Sequence, residues 1–188
     1  VPLGIFAQAM AVAIFPMLSA LAAEKRFDEL RSASSGGIRS LLFLTIPSSV
    51  FMAVLASPIV ALLLQHGKFH ADDTALAAPA LAYYCVGVFA WSAQSILSRS
   101  FYALQDTRTP VIVGTVVTFI FIPLNILFMN TFGMGIRGLA MATTIAATLH
   151  MLVMTAILRK RLNGFEISAM LVSLARTGFA SAAAGIVC

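Results

Sequence analysis

Four side chains in the first half of the chain have the chemistry of metal ligands: His66, His70, Asp72 and Asp73. The spacing of the two histidines would put them on one face of a helix, as in many zinc sites. Gly67 lies between them and weakens the helix that this spacing needs, and no third ligand is fixed nearby. The simpler interpretation is the start of a helix, with Asp72 or Asp73 capping its N-terminus.

Catalytic motifs are absent from the sequence. It contains no glycine-rich phosphate loop, no G-x-S-x-G and no H-E-x-x-H. Cys85 and Cys188 both lie in apolar stretches, which is typical of buried free thiols rather than of a disulfide or a metal pair. We therefore predict a protein that is not an enzyme and that binds no metal or other cofactor.

Four polar side chains lie inside long apolar stretches: Gln8, Gln94, Asn125 and His150. An unsatisfied polar group is costly in hydrocarbon, so each must either bond to a neighbouring helix or face a water-filled cavity. Both interpretations stay open. The second one makes these residues candidates for lining a wet cavity. The apolar stretches contain no carboxylate, so they offer no proton or sodium site of that type.

The stretches that position these residues have the length of membrane helices. Hydrophobic residues make up 60% of the 188 residues and charged residues 10%, and the mean hydropathy is +0.97. A water-soluble core of this size could not hide so much apolar surface. We predict an all-α, polytopic membrane helix bundle of about six transmembrane helices. The predicted spans are residues 3–23, 38–64, 75–97, 111–132, 138–158 and 171–188.

The chain is predicted to form a single membrane domain over residues 1–188. Val1 is not an initiator methionine and the last span is still apolar at Cys188, so we expect a fragment of a larger membrane protein. Residues 32–37 (SASSGG) predict a flexible break before the second span. Prolines within or near the ends of the spans predict helix bends. They are Pro16, Pro47, Pro58 and Pro123.

The basic residues predict the orientation of the spans. If the spans alternate in direction, ten of the twelve Lys and Arg residues fall on one side and only Lys68 and Arg137 on the other. Cytoplasmic loops retain Lys and Arg, so the rich side is predicted to be cytoplasmic. The net charge of +5 does not indicate nucleic-acid binding, because the basic residues lie in short links rather than on one face.

The link between the third and fourth spans, residues 98–110 (SRSFYALQDTRTP), is the most distinctive segment. Its aromatic residues suit a membrane interface, Asp106 and Thr107 suit a helix cap or turn, and Pro110 suits a first helical turn. We interpret Arg99, Asp106 and Arg108 as parts of a structural cytoplasmic link.

The chain resembles the MurJ/MviN lipid II flippases of bacteria, within the superfamily of multidrug, oligosaccharidyl-lipid and polysaccharide exporters. The resemblance covers essentially the whole chain. It rests on PLGIFAQAMAVAIFPMLSALAAE (residues 2–24), HGKF (66–69), RSFYALQDTRTP (99–110) and GMGIRGLAMATTIAATLH (133–150). It implies two six-helix lobes plus C-terminal helices, and this chain would be most of the second lobe, with the N-terminal lobe missing.

The resemblance also implies a function: transport of lipid II, the lipid-linked peptidoglycan precursor, from the inner to the outer leaflet of the bacterial cytoplasmic membrane by alternating access. The implied partners are lipid II, membrane lipids and the N-terminal lobe. In the family the main cations of the substrate site lie outside the segment represented here. Asn125 matches the family pattern, whereas Ser95 and His150 stand where Lys and Asn are common. With this resemblance, Gln8, Asn125 and His150 are the candidate residues of the substrate path.

Three other functions remain open at this level. One is a related exporter of another polyprenyl-linked glycan or of a drug-like cation, for which buried acids would be expected. Another is a non-transporting membrane scaffold, whose interior would be packed and without a wet cleft. The third is a membrane enzyme that uses His66 and His70, which would bind metal.

Overall fold

The protein is all-helical over the residues that the computed structural model describes, namely 2–66, 70–131, 133–162, 164, 177–178 and 181. The all-α prediction is confirmed. The α-helices are α1 (Pro2–Ala23), α2 (Phe27–Val54), α3 (Ala56–Leu64), α4 (Ala71–Ala103), α5 (Arg108–Ile126) and α6 (Ile136–Arg161), with a π-helical turn (Leu127–Thr131) after α5.

Every described α-helix except α3 is long and apolar enough to cross a membrane. Together with α3 and the π-helical turn, these helices overlap the first five predicted spans, while the sixth, at residues 171–188, falls almost wholly outside the described residues. Large apolar side chains point outward from the bundle. Phe43 on α2 is 70% exposed and Phe119 on α5 is 71% exposed. An apolar exterior of this kind needs lipid around it.

The predicted flexible break at residues 32–37 is wrong, because α2 begins at Phe27 and runs through this segment without interruption. Its small residues form a packing face. The Oγ atoms of Ser34 and of Ser100 on α4 are 2.9 Å apart and buried. A Cβ added to Gly37 would lie 2.8 Å from Cδ1 of Ile14 on α1. Small side chains here let three helices approach closely.

The second apolar stretch is divided at Leu55, where α2 ends and α3 begins. Pro58 lies in the first turn of α3 and has no amide hydrogen to donate to the carbonyl of Val54, so the helix is interrupted there. Of the other prolines named above, Pro16, Pro47 and Pro123 lie inside α1, α2 and α5.

Helix α4 is the centre of the bundle and packs against α1, α2, α3 and α6. Its contact with α6 is close because Gly87 faces Thr144. A Cβ on Gly87 would lie 2.9 Å from Oγ1 of Thr144 and 3.3 Å from its Cα. Two hydrogen bonds cross this interface. Thr144 Oγ1 donates to the carbonyl of Tyr83 at 2.8 Å, and Gln94 Nε2 donates to the carbonyl of Ala147 at 2.8 Å.

Helices α1 and α4 end in the same kind of turn. Lys25 and Gln105, with φ of 58° and 57°, adopt the left-handed conformation that usually favours glycine. The following amide then reaches back five residues: Arg26 bonds to the carbonyl of Leu21 and Asp106 to that of Phe101, both at 2.9 Å. This is the Schellman motif, which satisfies helix-end carbonyls and sends the chain back sharply.

Candidate functional site: a cleft between α1 and α4

A cleft of about 1050 Å³ opens between the N-terminal half of α1 and the C-terminal half of α4. Gln8, a residue predicted to line a substrate path, lies in its wall. Its described lining contains no acidic side chain. The polar lining residues are Gln8, Ser92, Gln94, Ser95, Ser98, Arg99 and Tyr102, and the larger apolar ones are Ile5, Val12, Val88 and Trp91.

Arg99 lies near the end of this cleft that is closest to the basic links. It belongs to α4, about one helical turn before Ala103, rather than to the connection after the helix. Its guanidinium carbon is 5.6 Å from the centre of the Phe15 ring on α1, which is the range of a cation–π contact. Arg99 therefore joins the two walls of the cleft, a placement that its sequence assignment to the link did not anticipate.

A second, smaller cavity of about 330 Å³ lies between α4, α5 and α6, and it contains His150. Gln94 and Trp91 line both this cavity and the α1–α4 cleft. The buried Nε2 of His150 has no hydrogen-bond partner among the described residues. His150 thus lines a small cavity on one side of α4, whereas Gln8 lines the large cleft between α1 and α4.

Asn125 lies near the end of α5 and lines neither cavity. Its Oδ1 is buried and has no hydrogen-bond partner in the described part of the chain. The structure therefore does not bring the three predicted path residues together: Gln8 and His150 lie in two different cavities, and Asn125 lies apart from both.

The connection between α4 and α5 is held by Asp106. Its carboxylate accepts hydrogen bonds from the Thr109 hydroxyl at 2.6 Å and the Thr109 amide at 3.0 Å, and it pairs with Arg161 at the end of α6 at 2.7 Å. The bonds from Thr109, together with the Arg161 charge, lower the pKa of Asp106 below its ordinary value of 3.8. Arg108, exposed, is the first residue of α5.

Three of the four metal-ligand candidates, His70, Asp72 and Asp73, lie at the start of α4. His70 precedes the first residue of α4, and its backbone amide donates to Oδ2 of Asp73 at 2.9 Å. This bond is typical of a capping box. The described residues contain no group of three or more His, Cys, Asp or Glu side chains that could hold a metal ion. The capping interpretation through Asp73 thus accounts for this segment.

The face of α4 that lines the cleft was not recognised from the sequence. Trp91, Ser95, Ser98 and Tyr102 recur at intervals of four, three and four residues, which puts them on one side of a helix. Their polar and aromatic character within an otherwise apolar span is the feature that could have marked this face. Gln94 lies close to the same side and reaches both cavities.

Membrane-length helices with an apolar exterior and a partly polar cleft define a polytopic helical membrane protein. A family model described as lipid II flippase MurJ matches residues 1–188. The chain therefore belongs to the MurJ family of lipid II flippases.

Individual relatives agree with this assignment. A probable lipid II flippase MurJ of Vibrio cholerae is 35% identical over 150 residues, which are 80% of this chain and 28% of that protein. A lipid II flippase MurJ of Thermosipho africanus is 33% identical over 152 residues, 80% of this chain and 30% of that protein. A solved structure of a lipid II flippase MurJ in an inward closed conformation matches with a TM-score of 0.79 at 29% identity, covering 99% of this chain and 37% of that one. The chain spans about a third of the length of these proteins.

Proposed function

We propose that the protein containing this chain is a lipid II flippase of the bacterial cytoplasmic membrane, and that this chain forms most of its second lobe. The observation that carries the proposal is the family match over all 188 residues. The partly polar cleft beside α1 supports it. The protein moves its substrate between leaflets without forming or breaking a covalent bond, so it acts as a transporter rather than as an enzyme.

The physical task of such a transporter suits this architecture. A sugar and pyrophosphate head group cannot cross hydrocarbon unaided, whereas a cavity between helices can shelter it while the lipid tail stays in the bilayer. The lining of the α1–α4 cleft offers amide, hydroxyl and guanidinium groups next to apolar side chains. A cleft with this lining also argues against a packed scaffold.

We propose that Gln8 contacts the head group during transport, because it lies in the wall of the large cleft. His150 and Asn125 do not line this cleft. Each has a buried polar atom without a hydrogen-bond partner among the described residues, so each can form a hydrogen bond with substrate or water when the lobes rearrange. Asp106 and Arg108 hold the connection between α4 and α5.

The orientation follows from the positive-inside bias: the ends that carry Lys25, Gln105 and Arg159 are cytoplasmic. Cysteine labelling tests this proposal in the full-length protein after its native cysteines are replaced. Asp72→Cys should react with an impermeant thiol reagent added outside intact cells, and Gln105→Cys should react only after permeabilisation. Both residues are exposed or partly exposed. The opposite result would reverse the orientation.

A leaflet-resolved assay of lipid II tests the flippase function. Cells depleted of the full-length protein should lose outward-exposed lipid II and accumulate it on the inner leaflet. Gln8→Ala should restore exposure less well than wild type, whereas the matched control Thr115→Ala should restore it fully. Thr115 is exposed on α5 and bonds only within its own helix, to the carbonyl of Val111. Unchanged outward exposure after depletion would remove the flippase proposal.

A further inference from the structure

Arg99 has no carboxylate partner among the described residues, although it lies near the end of the bundle where most of the charged residues gather. All the acidic side chains described at that end are engaged by other arginines. Glu24 and Glu29 pair with Arg26, Asp28 pairs with Arg31, and Asp106 pairs with Arg161. The two remaining described acids, Asp72 and Asp73, lie in the first turn of α4, at its far end.

The polar side chains beside Arg99 in the cleft are uncharged hydroxyl groups, which can donate hydrogen bonds to an anion. The hydroxyl groups of Ser95, Ser98 and Tyr102 lie on the same side of α4, four residues before, one before and three after Arg99. Because the described residues that line the cleft include no acid, none of them gives this cation the compensation that a membrane-embedded charge needs. Phe15 fixes the position of the guanidinium through its ring face and leaves the charge uncancelled.

We propose that the Arg99 end of the α1–α4 cleft is a phosphate subsite, in which the guanidinium binds the phosphate or pyrophosphate group of a membrane lipid. A planar guanidinium matches phosphate oxygens with two parallel hydrogen bonds. Ser98 and Tyr102 supply further donors beside it. Within the described part of the chain, α1 and α4 form this subsite, which lies on the proposed second lobe.

The occupant must carry an apolar chain as well as a phosphate. The cleft, at about 1050 Å³, is much larger than a phosphate ion. Its lining includes Val88 and Ile5, which lie about three helical turns before Arg99 and before its contact Phe15. A lipid with its head at Arg99 and its chain along α1 satisfies both features. Two sources share this chemistry: the polyprenyl pyrophosphate of the transported lipid, an assignment that rests on the proposed function, and an anionic phospholipid of the bilayer.

Binding of purified, delipidated full-length protein to defined lipids tests the subsite. The probes are a polyprenyl pyrophosphate and phosphatidylglycerol, and the dissociation constant of each is measured by native mass spectrometry. Arg99→Gln should raise the dissociation constant about tenfold for at least one probe, the effect of losing a charged hydrogen-bond donor. The matched control Arg159→Gln removes an equal charge from an exposed position in the last turn of α6, and it should change both constants less than about twofold.

The arms of the experiment separate the two sources. If Arg99→Gln weakens binding of the polyprenyl pyrophosphate only, the occupant is the transported lipid. If it also weakens binding of phosphatidylglycerol, or weakens that binding alone, the subsite binds the phosphate of bilayer lipids as well. Arg99→Gln with both constants unchanged would overturn the subsite, even if the melting temperature falls, because Arg99 would then only stabilise the end of α4. If Arg99→Gln does not fold, Arg99→Lys keeps the charge but not the planar fork, and it should still weaken binding severalfold.

This test is independent of the leaflet assay. Lipid binding that depends on Arg99, found together with unchanged lipid II exposure after depletion, would refute the flippase function and leave the subsite standing. Loss of lipid II exposure after depletion, found together with lipid binding that does not depend on Arg99, would refute the subsite and leave the flippase function standing.

Discussion

Replacement of Gly87 by alanine should destabilise the protein, because α4 and α6 touch at this position without room for a side chain. The added Cβ would lie 2.9 Å from Oγ1 of Thr144 and 3.3 Å from its Cα. The hydroxyl cannot move away freely, since it donates to the carbonyl of Tyr83 at 2.8 Å. The Cα belongs to the backbone of α6, so relief there requires the two helices to separate.

The size of the effect follows from three opposing contributions. Overpacking of a closely packed interface costs about 1–3 kcal/mol. Weakening of the bond between Thr144 and Tyr83 adds about 1 kcal/mol. The better helix propensity of alanine recovers up to about 1 kcal/mol. We therefore expect Gly87→Ala to lower the free energy of unfolding by about 1–3 kcal/mol.

Equilibrium unfolding of the full-length protein in mixed micelles measures this change. The matched control is Gly36→Ala, since Gly36 lies inside α2 with nothing within 4 Å of an added Cβ. It should stabilise the protein by up to about 1 kcal/mol through helix propensity alone. The double variant Gly87→Ala/Thr144→Ala should be more stable than the sum of the two single changes predicts, because one variant removes the atom that the other meets.

Two results would refute this reasoning. Stabilisation by Gly87→Ala as large as that by Gly36→Ala would mean that α4 and α6 do not approach each other at Gly87. Strict additivity in the double variant would mean that Thr144 is not the neighbour that resists the new methyl group.

Further predictions concern the turns and the α4–α5 connection. Gln105→Gly should raise the unfolding midpoint by the equivalent of about 1 kcal/mol, because glycine adopts the left-handed conformation without strain; a lowered midpoint would contradict this. Asp106→Asn should lower the free energy of unfolding by about 1–2 kcal/mol, because it weakens the bonds from Thr109 and Arg161; an unchanged midpoint would show that the bonds are dispensable. Since the folded-state pKa of Asp106 is lowered, its stabilisation is present above the unfolded pKa and is lost as the pH falls through the folded one. The difference in midpoint between wild type and Asp106→Asn should thus stay constant from about pH 5 to pH 8 and shrink below about pH 4; a difference that changes near pH 7 would implicate another group.

The membrane helices were predictable because hydropathy is a local property of the sequence. A run of about 20 apolar residues has few stable alternatives to a spanning helix. The predicted spans 3–23, 75–97 and 138–158 lie within single α-helices, 38–64 runs through α2 and α3, and 111–132 follows α5 into the π-helical turn. The sharp turn at Gln105 lies in the link where the sequence predicted a helix cap or turn.

The start of α2 was not predictable in the same way. Serine and glycine in residues 32–37 have low helix propensity, and propensity alone indicates a break. Ser34, Ser35 and Gly37 are nevertheless buried, because their small size lets α2 pack closely against α1 and α4. Tertiary packing therefore decided the conformation, and that information is contained in the other helices rather than in this segment.

The candidate site depended on how the helices are rotated against each other. Polarity alone identified Gln8, Asn125 and His150, yet only the packing of α4 puts Gln8 in one cavity and His150 in another. Arg99 was assigned to the link because it precedes the turn by only a few residues. Because α4 extends to Ala103, Arg99 is part of this helix and lies in the wall of the cleft.

Helix α4 contains 33 residues, which gives a rod about 50 Å long. The hydrocarbon layer is about 30 Å thick, so the rod outreaches it unless it is steeply inclined. The helix continues through Pro79 without a division like the one at Leu55 that separates α2 from α3, and it can therefore move as one lever. A tilt of about 10° around one end would displace the other end by about 9 Å. Rocking of the helix within the bilayer would therefore move the segments attached to its ends in the aqueous phase.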